Sequence, residues 1–288
     1  MLEDILKDRL KKKAELEKLG YNPYPARVQR THLIADATSA FNLLAKGKKK
    51  VAIVGRVMGL RVQGAIGFAD VMDESGKMQV FFKNANLKDF AVLKANLDIG
   101  DFLEVGGILF KTKAGEKTLE AKTARIIVKS LRPLPSVWHG LKDVEERYRK
   151  RYLDFLLNKE AKDRIAQRSK IVEYLRNALN DEGFLEVETP ILQPIPGGAK
   201  ARPFKTRHNA LDTDFYLRIA PELYLKRLMV GGFEKIFEIG RNFRNEGMDR
   251  DHNPEFTMLE LYWAYQDYGG LMKFTEKLLK KFIPGKWE

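Results

Sequence analysis

The stretch that decides the fold spans Lys235–Tyr265 and reads KIFEIGRNFRNEGMDRDHNPEFTMLELYWAY. In its first part, alternation places Phe237, Ile239 and Phe243 on one face and charged or small residues on the other. Its second part alternates in the same way, and a polar loop over Gly247–Pro254 joins the two parts. The stretch therefore predicts an antiparallel strand pair that buries one face under helices and turns a charged face towards a pocket.

The charged face of this predicted pair collects groups that suit a nucleotide. Arg244 and Glu246 belong to the first strand, Glu260 and Tyr262 to the second, and Phe256 lies just before the second strand. An arginine fork matches phosphate oxygens, a carboxylate accepts from an exocyclic amine, and an aromatic ring covers a purine face. An ordinary half-solvated sheet shows the same alternation, but the combination of groups favours a nucleotide site.

The segments FRNE and RDHNPEFTMLELYWAY resemble motif 2 of class II aminoacyl-tRNA synthetases, in the form found in the lysyl-tRNA synthetase family. The resemblance extends over nearly the whole chain. It implies an α+β fold with an all-β N-terminal domain, in which an OB-fold barrel precedes a class II antiparallel sheet flanked by helices. It also implies ATP-dependent activation of lysine and its transfer to tRNA(Lys). The ATP-binding residues implied are Arg244, which is also the catalytic residue, Glu246, His252, Asn253 and Phe256.

The acidic residues near this site favour a cationic substrate. Glu222 falls in the first turn of a helix opened by Pro221, a common place for an acidic residue, and Glu260 adds a second carboxylate. A lysine ammonium has three donors and is costly to bury unpaired. The resemblance implies that lysine is bound by Gly198, Glu222, Glu260 and Tyr262. Gly198 belongs to the loop PIPGGAKARPF, where the absence of a side chain permits close approach to the substrate.

Length, composition and charge limit the class of protein. The chain has 288 residues, enough for two domains, a net charge of +13 and no cysteine. Disulfides and thiolate metal sites are therefore excluded. With no apolar run of membrane-spanning length and no signal peptide, the sequence predicts a cytoplasmic protein without a membrane partner. The positive charge favours a polyanionic partner and is equally compatible with solubility alone.

The changes of hydrophobic period divide the chain into three predicted parts. Residues 1–50 form a basic helical extension, whose first helix carries an apolar stripe and ends near Gly20. Its lysines either solvate the helix or hold a nucleic-acid backbone. Residues 51–135 carry three strands, a helix and two strands, the order of a five-stranded OB barrel. Residues 136–288 follow the linker LRPLP, and the resemblance implies that they form a class II catalytic domain with motifs 1 and 2 only.

The predicted barrel offers candidate residues for nucleic-acid binding. OB barrels hold single strands on exposed aromatic rings in a basic groove. The candidates, on the first, second, third and last predicted strands, are Arg61, Phe68, Gln79 and Glu120. A phenylalanine on a barrel strand is more often part of the core. The segment is similar to the anticodon-binding domain of the lysyl, aspartyl and asparaginyl enzymes, which implies that Phe68 stacks on an anticodon base and Gln79 reads the central uridine.

A long amphipathic helix is predicted over Ala161–Glu182, followed by a capping Gly183 and the extended segment FLEVETPIL. The residues expected to point inwards are Ile165, Ile171, Val172, Leu175 and Leu179. Helix, strand and Pro190 resemble motif 1, which implies a homodimer interface that includes Pro190.

The match to the family ends after motif 2 and a helix over about 269–282. Motif 3, whose arginine contacts the γ-phosphate, and the carboxylates that hold Mg²⁺ are not in the sequence, so the Mg²⁺ ligands are expected in a missing C-terminal part. The chain is therefore predicted to be a truncated form with impaired activity and an unpaired sheet edge. One alternative is a tRNA-binding module with an inert catalytic remnant. Another is a synthetase-like enzyme that lysylates a protein, although such relatives lack the barrel.

Overall fold

A computed structural model describes residues 2–135, 141, 143–249 and 251–282. The chain divides into two compact units, Met1–Leu157 and Asn158–Glu288. The domain boundary predicted between residues 135 and 136 adjoins residues 136–140 and 142, which lie outside the described residues, so this boundary stays a prediction.

The N-terminal unit is a closed five-stranded barrel with helices around it. In chain order its elements are α1 (Leu2–Lys18), α2 (Ile34–Ser39), α3 (Phe41–Lys46), β1 (Lys50–Gln63), β2 (Ile66–Met72), β3 (Lys77–Lys83), α4 (Phe90–Asn96), β4 (Phe102–Lys111), β5 (Lys117–Val128), α5 (Val144–Arg149) and α6 (Arg151–Leu157). The strands close in the order β1-β2-β3-β5-β4. The helix lies between the third and fourth strands in sequence, so the predicted OB order is confirmed.

Alternate residues of each barrel strand fill its interior. On β1, Val51, Ile53 and Val57 are buried while their neighbours are partly exposed, and β2 to β4 alternate in the same way. The side-chain period of a strand is two, so one set of residues faces the core and the other faces outwards. A Cβ on Gly107 would overlap the carbonyl oxygen of Glu120, so glycine is required where the β4–β5 pairing changes register.

The first helix docks on the barrel through polar contacts as well as apolar ones. Its buried residues are Arg9 and Leu16. The Arg9 guanidinium donates to the carbonyl oxygens of Ser130 at 2.8 Å and Ile99 at 2.9 Å. The helix ends at Lys18, and Gly20 has a φ of +81°, which confirms the predicted end. The predicted apolar stripe is only partly buried, because Leu2, Ile5, Leu10 and Leu19 are exposed.

A buried lysine ties the end of the barrel together. Lys129 is fully buried and donates to the carbonyl oxygen of Asn96 at 2.7 Å and to the carboxylate of Asp101 at 2.7 Å. It also pairs with Asp98, which accepts from Lys12 of α1 at 2.8 Å. The charge of Lys129 is thus neutralised within the fold.

The second unit consists of two small sheets and three longer helices among its described elements. These are α7 (Lys159–Asp181), β6 (Leu185–Glu186), β7 (Leu192–Gln193), β8 (Lys205–His208), β9 (Thr213–Leu217), α8 (Glu222–Val230), β10 (Lys235–Phe243), β11 (Glu255–Trp263) and α9 (Tyr268–Phe282). One sheet has the order β11-β10-β6 and the other β7-β9-β8. β10 and β11 are antiparallel and β6 joins β10 in parallel, so the first sheet is mixed.

One face of the β10–β11 pair packs under α7 and α9, as predicted. Phe237 of β10 is fully buried with Leu179 of α7, Phe184 and Phe274 of α9. Ile239, Leu259, Leu261 and Trp263 pack against this cluster. The Phe184 ring stacks on Phe274 with centroids 5.7 Å apart. The opposite face of the strand pair carries the charged residues Glu238 and Glu260.

Details of the second unit depart from prediction. β10 ends at Phe243, so Arg244 and Glu246 follow the strand, and Phe256 lies within β11 instead of before it. Ile165 and Ile171 of α7 are exposed, where inward positions had been expected. The sheet beneath α7 is narrow, and of this helix only Ala161 and Leu179 are buried.

Among the described residues, no helix has both the length and the apolar character needed to span a bilayer.

Candidate functional site

The register of β10 and β11 sets the centre of the site. Glu238 pairs directly with Glu260, and Gly240 pairs with Met258. Directly opposed residues project from the same face, with their Cβ atoms about 4.5–5.5 Å apart. This is the face away from Phe237 and its apolar cluster, so two carboxylates stand side by side above the sheet.

Glu222 brings a third carboxylate to the same region. It is the first residue of α8, directly after Pro221. Burial raises the pKa of Glu260, and the negative charges of Glu222 and Glu238 raise it further, against the cations Arg218 and Arg244. The carboxylates of Glu222 and Glu260 are therefore within electrostatic reach of each other, although the two residues are 38 positions apart in the chain.

Tyr262 completes this group. Burial, followed by the charges of Glu260 and Glu222, raises the pKa of Tyr262 to about 12. The phenol therefore stays protonated at neutral pH and keeps a hydroxyl donor beside two carboxylates. The structure thus brings together three residues predicted to bind a cationic substrate: Glu222, Glu260 and Tyr262.

The glycine loop lies against Glu222. Gly198 has a φ of +86°, and a Cβ placed on it would lie 2.8 Å from the Cβ of Glu222 and 3.1 Å from that of Ala220. Both the left-handed backbone and the close contact exclude a side chain at this position. One carboxylate oxygen of Glu222 accepts from Lys226 at 2.6 Å, and its other oxygen lies towards Gly198.

Arg244 and Phe256 form the other end of the site. The Arg244 guanidinium lies over the Phe256 ring, 5.0 Å from its centroid. Its Nε is buried and, among the described residues, has no hydrogen-bond partner. A buried guanidinium N–H without an acceptor fits an anionic ligand, because such a donor is costly to leave unsatisfied.

The remaining predicted nucleotide-binding residues are less closely assembled. Glu246 is exposed and accepts from the backbone N–H of Arg202 at 3.4 Å. His252 is exposed and lies 2.8 Å from the carboxylate of Asp249, and Asn253 is exposed in the same loop. The backbone N–H of Asn245 donates to the carbonyl oxygen of Arg202 at 2.8 Å, which links the end of the glycine loop to the chain that follows β10.

Sequence reasoning missed a buried ion pair in the same region. Arg218 is 2% exposed and pairs with Glu238, which is 3% exposed. Thr189 lies between them: its hydroxyl accepts from Arg218 at 3.1 Å and donates to Glu238 at 2.7 Å. The only signal in the sequence was that Arg218 and Glu238 are each a charged residue among mostly apolar neighbours.

The barrel presents a separate groove. Its volume is about 810 Å³, and its lining includes Arg61, Phe68 and Gln79 together with the β4–β5 hairpin. The Phe68 ring packs on Phe81 with centroids 5.0 Å apart and stays partly exposed. Three of the four predicted nucleic-acid residues thus share one groove. Glu120 lies outside its lining and accepts from Asn86 at 2.6 Å and Lys122 at 2.9 Å.

Two other predictions concern Pro190 and metal binding. Pro190 is exposed, and its carbonyl oxygen accepts from the side chain of Gln193 at 3.1 Å. Within the described ranges, no group of three or more His, Asp or Glu side chains is arranged to hold a metal ion. We therefore assign no Mg²⁺ ligands to the described residues.

Comparison with known families gives two successive matches along the chain. Residues 51–127 match the family described as OB-fold nucleic acid binding domain. Residues 143–285 match the family described as tRNA synthetases class II (D, K and N).

Curated relatives are similar over nearly all of the chain. The lysine–tRNA ligase of Carboxydothermus hydrogenoformans is 52% identical over 279 residues, which are 96% of this chain and 57% of that protein. Those of Syntrophomonas wolfei and Wolinella succinogenes are each 51% identical, over 96% and 95% of this chain and 56% of each relative. The chain thus spans somewhat more than half the length of these relatives.

Proposed function

Because the chain belongs to the class II tRNA synthetases of the D, K and N type, we propose that its second unit binds L-lysine and ATP to form lysyl-adenylate and that its barrel binds tRNA(Lys). A hydroxyl of the terminal ribose of the tRNA then attacks the lysyl carbonyl carbon, an ester forms, and AMP leaves. The proposal is supported by relatives named lysine–tRNA ligase that are about half identical to this chain. Since the chain spans only part of those relatives, the activity is proposed from its own site residues.

The choice of lysine rests on one observation: Glu222 of α8 lies close to Glu260 and Tyr262, which share one face of β11. An ammonium group with three donors is matched by two carboxylates and a phenol oxygen. The repulsion that raises the pKa of Glu260 in the free protein is relieved when a cation enters between Glu260 and Glu222. Gly198 borders the same space and allows the backbone to approach the substrate amino group.

The chemistry requires alignment more than a protein nucleophile. A carboxylate oxygen of lysine attacks the α-phosphorus of ATP, and pyrophosphate leaves. Arg244 is proposed to bind the α-phosphate, with its buried Nε as one donor, and Phe256 to stack on adenine. Glu246 accepts from the adenine amine, and His252 and Asn253 lie near the ATP. Enzymes of this class generally use Mg²⁺ with ATP, and we assign it no ligand among the described residues.

The cellular setting follows the same proposal. We place the protein in the cytoplasm, where tRNA is charged. We also propose a homodimer formed through the segment around Pro190. Support comes from the exposed side chains of Ile165 and Ile171 on α7, the helix that precedes this segment. Analytical ultracentrifugation tests the dimer, and a monomer at micromolar concentration would contradict it.

Isothermal titration calorimetry with lysine tests the proposed substrate. Norleucine, which keeps the α-ammonium but lacks the side-chain ammonium of lysine, is the matched control ligand and should not bind. Glu222→Gln and Glu260→Gln should each weaken lysine binding by roughly 3–5 kcal/mol, as when one partner of a buried ion pair is removed. An unchanged lysine affinity in both variants would refute the assignment. ATP–pyrophosphate exchange with lysine then measures adenylation.

The groove that contains Phe68 favours a second candidate function, an RNA-binding module whose synthetase-like unit is inert. Filter binding with tRNA, performed beside the exchange assay, distinguishes the two. Binding of tRNA without exchange favours the module, whereas lysine-dependent exchange favours the ligase.

A further inference from the structure

The register of the site strands creates an electrostatic problem. Glu238 and Glu260 face each other directly across β10 and β11, and like charges at such positions are destabilising. Glu238 is 3% exposed, so its charge is not screened by water. A buried carboxylate in this position requires a permanent cation.

Arg218 supplies that cation from the chain between β9 and α8. Its Nη1 pairs with Glu238 and also donates to the hydroxyl of Thr189 at 3.1 Å. Its Nε donates to the carbonyl oxygen of Arg241 at 2.8 Å, which holds the guanidinium against β10. The arginine backbone is held as well, since its N–H donates to Ile191 and its carbonyl oxygen accepts from Phe243.

Gly240 leaves room for this guanidinium. A Cβ on Gly240 would overlap Nη2 of Arg218 and would lie 3.1 Å from Oε1 of Glu238. The arginine therefore lies on the surface of the sheet at the residue that pairs with Met258, two positions from Glu260. Any larger residue at Gly240 would push the cation away from the carboxylates.

We propose that Arg218 is a positioning residue for the lysine site. By pairing with Glu238, Arg218 keeps Glu260 ionised and able to bind a cation. The entering ammonium then meets the carboxylates of Glu222 and Glu260, because the carboxylate of Glu238 is already neutralised. The role of Arg218 towards lysine rests on the proposed function; its effect on Glu260 does not.

The charges that surround Glu260 agree with this role. Burial raises the pKa of Glu260, Glu222 on α8 and Glu238 on β10 raise it further, and Arg218 and Arg244 lower it. Tyr262 on the same strand stays neutral, because burial, followed by the charges of Glu260 and Glu222, raises its own pKa. Loss of Arg218 would remove a cation from this group and also leave Glu238 uncompensated, so both effects favour protonation of Glu260.

A titration of Glu260 without ligand tests the proposal. The protein is labelled with ¹³C at the glutamate side-chain carboxyl, and Glu260→Gln identifies the resonance. Arg218→Met should raise the pKa of Glu260, Glu238→Gln should lower it, and the double variant should lie between the two. Arg241→Met is the matched control, because it removes an exposed arginine of β10, the strand that carries Glu238, and this arginine pairs with Glu255 instead.

Lysine binding gives a second readout. Arg218→Met should weaken lysine binding about tenfold or more at acidic pH, because the raised pKa of Glu260 keeps more of this carboxyl protonated in the variant. The loss should become smaller as the pH rises and Glu260 ionises. If Arg218→Met does not fold, comparison of Glu238→Gln with the double variant gives the same test.

Shifts of Glu260 in opposite directions in the two single variants would support the proposal. Shifts in the same direction, or an unchanged pKa of Glu260 in folded Glu238→Gln, would overturn it. A purely structural ion pair would lower the melting temperature without moving this titration, and that result also counts against the proposal. If Glu260 shifts as expected but the unmodified protein does not bind lysine, the proposed function fails while the effect of Arg218 on Glu260 stands.

Discussion

Gly198 offers a direct test of the lysine site, because two glycines with similar backbones differ in what surrounds them. Gly198 has a φ of +86° and Gly232 a φ of +95°. A Cβ on Gly198 would lie 2.8 Å from the Cβ of Glu222, whereas a Cβ on Gly232 would meet nothing within 4 Å. Gly198→Ala and Gly232→Ala therefore share the backbone strain, and only the first adds a contact at the site.

The magnitudes follow from this geometry. An alanine in left-handed backbone costs about 1–2 kcal/mol, and both variants should lose this much stability. At Gly198 the overlap is with the Cβ of Glu222, which cannot rotate away, so the loop or the start of α8 must move by roughly 1 Å to reach normal carbon–carbon separation of about 3.5–4.0 Å. A displacement of this size in the binding site should weaken lysine binding by about ten- to hundredfold.

Thermal denaturation and lysine calorimetry on both variants measure the two effects separately. We expect similar losses of melting temperature and a loss of lysine affinity in Gly198→Ala alone. Equal lysine affinity in the two variants would refute the assignment of Gly198 to the lysine site.

Three further predictions concern other parts of the chain. Phe68→Ala should weaken RNA binding by about 1–3 kcal/mol in a filter assay, the usual contribution of a stacked base; lysine binding should not change, and a loss of it would contradict the assignment of Phe68 to RNA. Lys129→Met should lower the free energy of unfolding by about 3–5 kcal/mol in urea, because it leaves the fully buried Asp101 without its cation; an unchanged denaturation midpoint would contradict this. Glu260→Gln should raise the melting temperature near pH 8 and leave it unchanged near pH 4. The pKa of Glu260 is raised in the folded protein, so the folded protein holds this proton more tightly than the unfolded chain. The unsubstituted protein therefore loses stability as the pH rises through the pKa of Glu260 in the folded state. A lower melting temperature of this variant near pH 8 would show that Glu260 is not strained in the free protein.

The helix ends and the strand pattern were predictable because they depend on neighbouring residues. Gly20 and Gly183 end their helices with positive φ, as their positions after an amphipathic stretch indicated. The alternation of Phe237 and Ile239 correctly predicted the face that packs under α7 and α9. These features require only the geometry of one helix or one strand, which a periodic pattern reports directly.

Burial of individual residues was less predictable. Arg9 lies in the buried part of α1 because barrel carbonyl oxygens accept from it, whereas Ile165 and Ile171 are exposed on α7. A periodic pattern identifies an apolar face but not the extent of the surface that covers it.

The sequence by itself determined that β10 and β11 would form a pair with one charged face, that a barrel would precede them, and which family they resemble. Only the tertiary structure decided that Glu238 is neutralised by Arg218, that Glu222 reaches Glu260, and that Gly198 borders both the helix start and its carboxylate. The physical reason is that these contacts join separate elements. They depend on strand register and on the path of the chain between elements, and no local pattern of residue types carries that information.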